Sequence, residues 1–407
     1  MSGFTGQPPS PSDDFAAGSG RAVGVRSPGD SSSPPILPGS GSAAPTGLGS
    51  VAPSGLVGVA PSGVGSERPR AQFDAGELAM VCSRYDVGVI EAVKEFRRGS
   101  SRAPKVALKT NQGTFLLKRR TAAAAQAPRV ALSHAVQAHL AARGFPLPKL
   151  RATRTDGRTA LELGGSVYEL FEFVAGNIYD QSLDATGDAG RVLATFHRLL
   201  AGFDTRTHHP PSGTFHNARG LPEQLARIGD RIPEPGAATL TDRLAAMFAV
   251  AAERVERLGM ATWPVQLIHG DWHPGNMVYR GSRVVAVIDY DTVRLAPRAA
   301  DIANGALQFS ITRLAENPES WPAGLDEGRF KRFCRGYDMV KGCVISTAEL
   351  EALPWLMVEA IIVEAVAPIA ATGSFAGLRA SPFLKMVDAK AAWLAEHADR
   401  LTALAAD

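Results

Sequence analysis

Between residues 265 and 291 the chain alternates short apolar runs with turns that carry polar side chains. The runs "VQLI", "MVY" and "VVAVI" are rich in β-branched residues and are bounded by Gly, Pro or Asp, which predicts short buried strands. Four polar residues stand on the connecting turns: His269, Asp271, Asn276 and Asp289. Polar groups held at strand ends usually take part in chemistry or cap a turn. The fold must therefore hold a cluster of polar turns on rigid strands.

The first 70 residues differ in composition from the rest of the chain. Gly, Pro and Ser account for 39 of them, and the pentapeptide "VAPSG" occurs twice. Such a segment cannot bury enough apolar surface to offset the entropy lost on ordering. We therefore predict a disordered tail over residues 1–70.

Composition and charge narrow the class of protein. A net charge of +3 over 407 residues is too small to indicate nucleic-acid binding. No uninterrupted apolar run reaches the roughly 18 residues needed to cross a bilayer. The N-terminus lacks the basic start and apolar core of a secretory signal, and the three cysteines lack metal-ligand spacing. These features predict a cytoplasmic protein without nucleic-acid or membrane partners.

Two hairpins and several helices are predicted along the chain. Residues 104–120 hold two alternating strands around an Asn-Gln-Gly turn, and residues 159–176 form a second hairpin around Gly164-Gly165. Helices are predicted over 129–144, 184–200 and the very apolar segment 353–371. The pattern predicts an α+β fold with a strand-rich N-terminal lobe, residues 71–175, and a larger, mainly helical C-terminal lobe, residues 176–407.

The polar turns match the needs of phosphoryl transfer. Asn276 follows Asp271 by five positions, and Asp289 follows thirteen residues later. Phosphoryl transfer depends on a carboxylate that orients the attacking hydroxyl and on metal ions that neutralise phosphate charge. Mg²⁺ prefers oxygen ligands and few protein carboxylates. One base and two oxygen ligands on adjacent turns supply that set.

The segments "HGDWHPGN" and "VIDYD" resemble the aminoglycoside phosphotransferase and choline kinase family, which has a protein-kinase-like fold. "VLATFHRLL", "YELFEFVAG" and "RLAPRAADIANG" resemble further segments of that family. The resemblance implies an ATP-dependent phosphotransferase that acts on a hydroxyl of a small molecule. It also implies that Asp271 is the catalytic base, and that Asn276 and Asp289 hold Mg²⁺.

The resemblance assigns the nucleotide site to the N-terminal lobe. Lys118 would pair with the phosphates of ATP, and the strand period places it on the same face as Leu116. The backbone from Glu172 to Val174 would contact adenine. Residues 95–104 take the place of the phosphate-covering loop, although they contain a single glycine.

One feature departs from the kinase pattern, in which a helix glutamate pairs with the strand lysine. No Asp or Glu occurs between Glu95 and Asp156, a stretch with thirteen Lys and Arg residues. The predicted helix offers Ser133, His134 and Gln137 instead. A neutral side chain is therefore expected to hold Lys118, unless it contacts the phosphates alone. The absent glutamate also motivates an alternative, a pseudokinase that acts as a nucleotide-binding module.

Two other functions are weaker. A metal-dependent hydrolase would need a second His/Asp cluster, which the spread of the nine histidines does not provide. A protein kinase would be expected to contain D-F-G and A-P-E, and neither occurs.

Several other polar residues near the motif are expected to be structural. We predict that His269 is a hydrogen-bonded scaffold residue, that His197 is structural and that Asp301 caps or anchors its helix. Asp291 is expected to have a turn or cap role, with assistance to the metal as the alternative. His273 could contact the transferred phosphate or brace its loop.

Charged residues beyond the motif bear on the acceptor. Arg294 and Arg298 are expected to be solvated, with recognition of an anionic acceptor as the alternative. Glu359 and Glu364 lie on the apolar segment 353–371 and need partners. We expect an internal arginine, with a substrate amine as the alternative. Residues 300–407 contain fourteen acidic and ten basic residues, which favours an acceptor that carries an amine.

Overall fold

The computed structural model describes residues 72–96, 103–121, 123–216, 218–232, 234–313 and 317–407. The predicted tail, residues 1–70, lies outside these ranges, as do residues 97–102 of the predicted phosphate-covering loop. The helices are α1 Ala75–Cys82, α2 Ala123–Ala141, α3 Leu183–Leu200, α4 Leu221–Arg231, α5 Ala237–Arg257, α6 Ala299–Ser310, α7 Glu327–Asp338, α8 Thr347–Thr372, α9 Ala380–Glu396 and α10 Ala398–Ala406. The strands are β1 Ile90–Glu95, β2 Lys105–Thr110, β3 Gly113–Thr121, β4 Ala160–Leu163, β5 Ser166–Glu172, β6 Val265–Ile268, β7 Met277–Arg280, β8 Arg283–Val287, β9 Arg294–Pro297, β10 Ser374–Phe375 and β11 Leu378–Arg379.

The N-terminal part is an antiparallel sheet with the strand order β1-β2-β3-β5-β4. Both predicted hairpins are confirmed. Gly164 and Gly165 turn the second hairpin with φ of 57° and 74°, a conformation that glycine adopts without a steric penalty. One face of the sheet is buried in a small apolar cluster that includes Leu108, Phe115 and Leu117. The opposite face is free to carry polar side chains.

Helix α2 starts earlier than the sequence predicted. Its first residue is Ala123 rather than Arg129, and Pro128 lies inside it. Alanine has the highest helix propensity of any residue type. The run of alanines before Pro128 therefore explains the earlier start of the helix. Further along, Val136 and Leu140 are fully buried in the large hydrophobic core of the helical part. This helix therefore ties the sheet to the C-terminal part.

The helical part carries the motif on two short antiparallel ladders, β6 with β9 and β7 with β8. Beneath them α3 crosses α7 at close range through glycines. A Cβ on Gly190 would lie 2.1 Å from the carbonyl oxygen of Phe333, and a Cβ on Gly336 would lie 2.0 Å from that of Gly187. Only glycine allows backbones to approach this closely.

Helix α8 has the length and apolar composition of a membrane span. The sequence had led us to expect no such segment, because no uninterrupted apolar run reaches about 18 residues. In the structure 78% of its most apolar stretch is buried inside the protein. The helix packs against α5, α6 and α9, so its apolar surface fills the core of the helical part.

Candidate active site

The turn that follows β6 is held by its neighbours on all sides. Gly270 has a φ of +77°, and a Cβ at this position would lie 2.6 Å from the carbonyl oxygen of Thr292. The backbone N–H groups of His269 and Gly270 donate to the carboxylate of Asp301, at 2.6 and 2.8 Å. Asp301 thus anchors the turn after β6 from the first turn of α6. It is structural, as expected, but it holds this turn rather than capping its own helix.

A buried chain of hydrogen bonds continues behind Asp301. His197 Nε2 donates to Asp301 Oδ2 at 3.2 Å, and His197 Nδ1 lies 2.8 Å from the hydroxyl of Tyr337. His197 is therefore structural, as expected. The prediction for His269 was wrong in one respect, because neither ring nitrogen has a hydrogen-bond partner among the described residues. Its ring is instead fully buried among aromatic side chains, including Trp272.

Asp271 is buried at the end of this turn, with 5% of its surface exposed. Asn276 Nδ2 donates to Asp271 Oδ2 at 3.0 Å, and His273 Nε2 lies 3.5 Å from the same oxygen. His273 also accepts from the backbone N–H of Gly275, so it braces its loop. Burial acts to raise the pKa of Asp271, but His273 and Asn276 outweigh it and the pKa is lowered. The carboxylate is therefore ionised and oriented, as a general base requires.

Asp289 follows β8 in the left-handed conformation, with a φ of +66°, which is uncommon for a residue other than glycine and marks many functional sites. Its Oδ1 atom is buried and has no hydrogen-bond partner among the described residues. A buried carboxylate oxygen without a partner is costly unless a cation binds it. Asp289 and the amide oxygen of Asn276 are the oxygen ligands that suit Mg²⁺.

The sheet presents cationic side chains to the motif. Lys118 Nζ lies 3.3 Å from Asp291 Oδ2, and Arg120 donates to both oxygens of Asp291, at 2.5 and 2.6 Å. Arg120 also donates to Glu169 on β5, and His134 Nε2 donates to the same carboxylate at 2.7 Å. The expectation of a neutral partner for Lys118 was therefore wrong. Asp291 is an ion-pair partner rather than a cap.

The charged groups of this network shift one another's pKa values. Burial acts to lower the pKa of Lys118, but the carboxylates of Asp291 and Asp289 outweigh it and the pKa is raised. Lys105, its cross-strand neighbour on β2, has a lowered pKa because of burial and of the adjacent Lys118 charge. Burial acts to raise the pKa of Glu169, yet His134 and the nearby cations lower it to about 2.

The predicted adenine contact lies where β5 leaves the sheet. The N–H of Glu172 donates to the carbonyl of Lys149, at 2.8 Å, and that of Phe173 donates to Thr114, at 2.9 Å. The N–H of Val174 forms no hydrogen bond among the described residues. Of these three amides, that of Val174 is the one available to a ligand.

The other charged residues singled out in the sequence have partners that spacing did not reveal. Arg298 is paired with Glu349 at 2.8 Å, so it is not a solvated loop residue. Arg294 lies on β9, where its Nε donates to the carbonyl of Thr292. Among the described residues, Glu359 pairs with His216 at 2.8 Å.

The structure brings four of the predicted site residues together in two groups. Asn276 contacts Asp271, and Lys118 pairs with Asp291 and is influenced by the charge of Asp289. Glu172 and Val174 form no hydrogen bond with the other four among the described residues. Sequence reasoning missed Arg120 and Glu169. Arg120 could have been found, because it lies two residues after Lys118 on the same face of β3.

Comparisons with known proteins agree with this geometry. A family model described as the phosphotransferase enzyme family matches residues 92–343. A homoserine kinase of Rhodopseudomonas palustris (strain HaA2) is 29% identical over 220 residues, which are 53% of this chain and 63% of that enzyme. The match thus spans less than two thirds of that relative's length.

Solved structures show the fold. An aminoglycoside phosphotransferase from Alicyclobacillus acidocaldarius superposes with a TM-score of 0.61 at 19% identity, over 84% of this chain and 98% of that one. A spectinomycin phosphotransferase, solved in complex with ADP and spectinomycin, superposes with a TM-score of 0.57 at 13% identity, over 81% and 100%. The predicted protein-kinase-like α+β fold is confirmed. Because the family model covers more than half of the 407 residues, the chain belongs to the phosphotransferase enzyme family.

Proposed function

We propose that this protein transfers the γ-phosphoryl group of Mg·ATP to a hydroxyl group of a small molecule that carries an amine. The observation that carries the proposal is the buried, ionised Asp271 held by Asn276, together with the carboxylate oxygen of Asp289 that has no partner among the described residues. Family membership supports the same reaction class. The matched relative is named a homoserine kinase, and homoserine is a hydroxyl acceptor with an amine.

Each residue has a role in the reaction. Asp271 accepts the proton of the acceptor hydroxyl as its oxygen attacks the γ-phosphorus. A bond forms between that oxygen and phosphorus, the bond from phosphorus to the β,γ-bridging oxygen breaks, and ADP leaves with the electron pair. Lys118 holds the phosphates, and Val174 contacts adenine through its free N–H. Asn276 and Asp289 would hold Mg²⁺, which supplies charge neutralisation at the phosphate oxygens.

The alternative of a pseudokinase rested on the missing helix glutamate. Asp291 and Glu169 supply carboxylates to the cations of β3, so the described structure no longer gives that alternative its motivation. His134 of α2 occupies the helix side of the network by binding Glu169. Carboxylates on a strand and on a turn thus partner the cations of β3 in place of a helix glutamate.

The test is ADP release from purified protein with Mg·ATP and a panel of acceptors. The panel holds homoserine, choline, ethanolamine, methylthioribose, an aminoglycoside and a generic protein. We expect release that depends on a small acceptor and that falls by about 10²–10⁴-fold in Asp271→Asn, while Mg·ATP still binds. Near wild-type turnover in that variant would overturn the assignment of the base. Absence of release with every acceptor, despite Mg·ATP binding, would refute the proposed activity.

A further inference from the structure

Glu364 is a buried acid that has no cationic partner among the described residues. Glu364 is on α8 with 7% of its surface exposed. Among the described residues its carboxylate accepts one hydrogen bond, from Gln308 Nε2 at 2.5 Å, and forms no ion pair. Burial, followed by the negative charge of Asp271, raises the pKa of Glu364 well above its usual value. The ionised form of Glu364 is therefore destabilised unless a positive charge joins it.

Two amide oxygens on α6, which packs against α8, also lack donors among the described residues. Asn304 and Gln308 lie four residues apart on α6, and therefore on one face of that helix. Each has 3% of its surface exposed, and neither Asn304 Oδ1 nor Gln308 Oε1 has a hydrogen-bond partner among the described residues. In the structure the amide nitrogen of Gln308 faces Glu364, and the amide oxygen points away from it.

This cluster adjoins the catalytic turn. Asn304 lines a small cavity together with Gly270, Asp301 and Arg294. Gly270 immediately precedes Asp271, so the cavity lies between α6 and the turn that carries the proposed base. The cluster offers a carboxylate and two amide oxygens, all of which accept hydrogen bonds. A primary ammonium group offers three N–H donors and one positive charge.

We propose that Glu364, Gln308 and Asn304 form the subsite that binds the ammonium group of the acceptor. The inference rests on the proposed kinase function and assigns its acceptor class: a small alcohol with a primary amine. The ammonium satisfies the two amide oxygens and neutralises Glu364. An alcohol without the amine leaves the two amide oxygens without a donor and Glu364 without a positive charge, which makes the subsite selective for the amine.

The test uses acceptors that differ only in the amine. Homoserine is compared with 4-hydroxybutanoate, and 3-amino-1-propanol with 1-propanol, by ADP release under initial-rate conditions. For the wild type we expect kcat/KM to favour the amine by at least about 100-fold, since sites built to bind an N–H group discriminate strongly against analogues that lack it. In Glu364→Gln that preference should fall by about tenfold or more through KM for the amine. The amine-free acceptor should be handled equally by both proteins.

Two further variants separate binding from folding. Asn304→Ala, on α6, should likewise reduce the preference for the amine acceptor and leave kcat/KM for the amine-free acceptor unchanged. Glu359→Gln is the matched control, because Glu359 is also buried on α8 but is paired with His216. It should keep the full preference for the amine, whatever its effect on thermal stability.

The outcomes are distinguishable. If wild-type protein phosphorylates amine-free alcohols as well as their amines, or if Glu364→Gln and Asn304→Ala both retain the preference, the subsite is refuted and the kinase function stands. If no acceptor of either kind is phosphorylated while Mg·ATP binds, the proposed function fails and the subsite with it. Selective loss of amine preference in both variants, with the Glu359→Gln control unchanged, supports the assignment.

Discussion

Glu169 allows a quantitative test of the charge network that connects the N-terminal sheet to Asp291. Its carboxylate is fully buried and accepts hydrogen bonds from Arg120 and His134. These groups lower its pKa from 4.5 to about 2. At about 1.4 kcal/mol per pKa unit, the shift corresponds to about 3 kcal/mol of stability near neutral pH. Glu169→Gln keeps the size of the side chain and removes that charge.

The pH dependence follows from the direction of the shift. A carboxyl group with a depressed pKa stabilises the folded state fully above its unfolded pKa, here 4.5, and loses this contribution as the pH falls towards 2. The wild type should therefore exceed Glu169→Gln in stability by about 3 kcal/mol near neutral pH. The gap should narrow as the pH is lowered from 4.5 towards 2.

The assay is urea unfolding followed by circular dichroism at several pH values. Glu162→Gln is the matched control, because Glu162 is an exposed glutamate on the neighbouring strand β4. Its substitution should change stability by less than about 0.5 kcal/mol. The reasoning would be refuted by a Glu169→Gln effect below about 1 kcal/mol near neutral pH, or by a gap that stays constant across the acid range.

Two further predictions concern the metal site and the helix crossing. Asp289→Asn should weaken binding of Mg·ATP by about tenfold or more and leave metal-free nucleotide binding nearly unchanged. Calorimetry with and without Mg²⁺ measures both affinities. Equal losses of affinity under the two conditions would argue against Asp289 as a metal ligand. Gly336→Ala should destabilise the protein by about 1–3 kcal/mol or more, because its Cβ would collide with the carbonyl of Gly187. Gly202→Ala, where a Cβ meets open space, serves as the control in thermal unfolding, and similar effects of the two changes would contradict the close crossing.

The parts of the molecule that the sequence predicted well have local signals. The hairpin at Gly164-Gly165 depends on two adjacent glycines, and both adopt a positive φ. The motif residues Asp271, Asn276 and Asp289 lie within nineteen positions of one another, so their strand and turn context was visible in one segment.

The partners of buried charges were not predictable in the same way. Arg120 and Asp291 are separated by 171 positions, and His216 and Glu359 by 143. Such pairs depend on which distant elements pack against each other. Neither the periodicity nor the composition of the sequence predicts that packing. The absence of acids near Lys118 in sequence was therefore a misleading sign, because the fold brings the carboxylate of Asp291 to it from the other part of the chain.

Helix α6 carries residues with two different roles. Asp301 in its first turn fixes the catalytic turn, while Asn304 and Gln308 lie one and two turns further along. Point substitutions at the latter positions change what the protein can recognise and leave the base in place, which makes them natural targets for redesign. A one-residue insertion between Asp301 and Gln308 has a different outcome, since it rotates one end of the helix by about 100° relative to the other. Acceptor range in this scaffold is therefore open to gradual change by substitution, whereas changes in the length of α6 are expected to abolish function in one step.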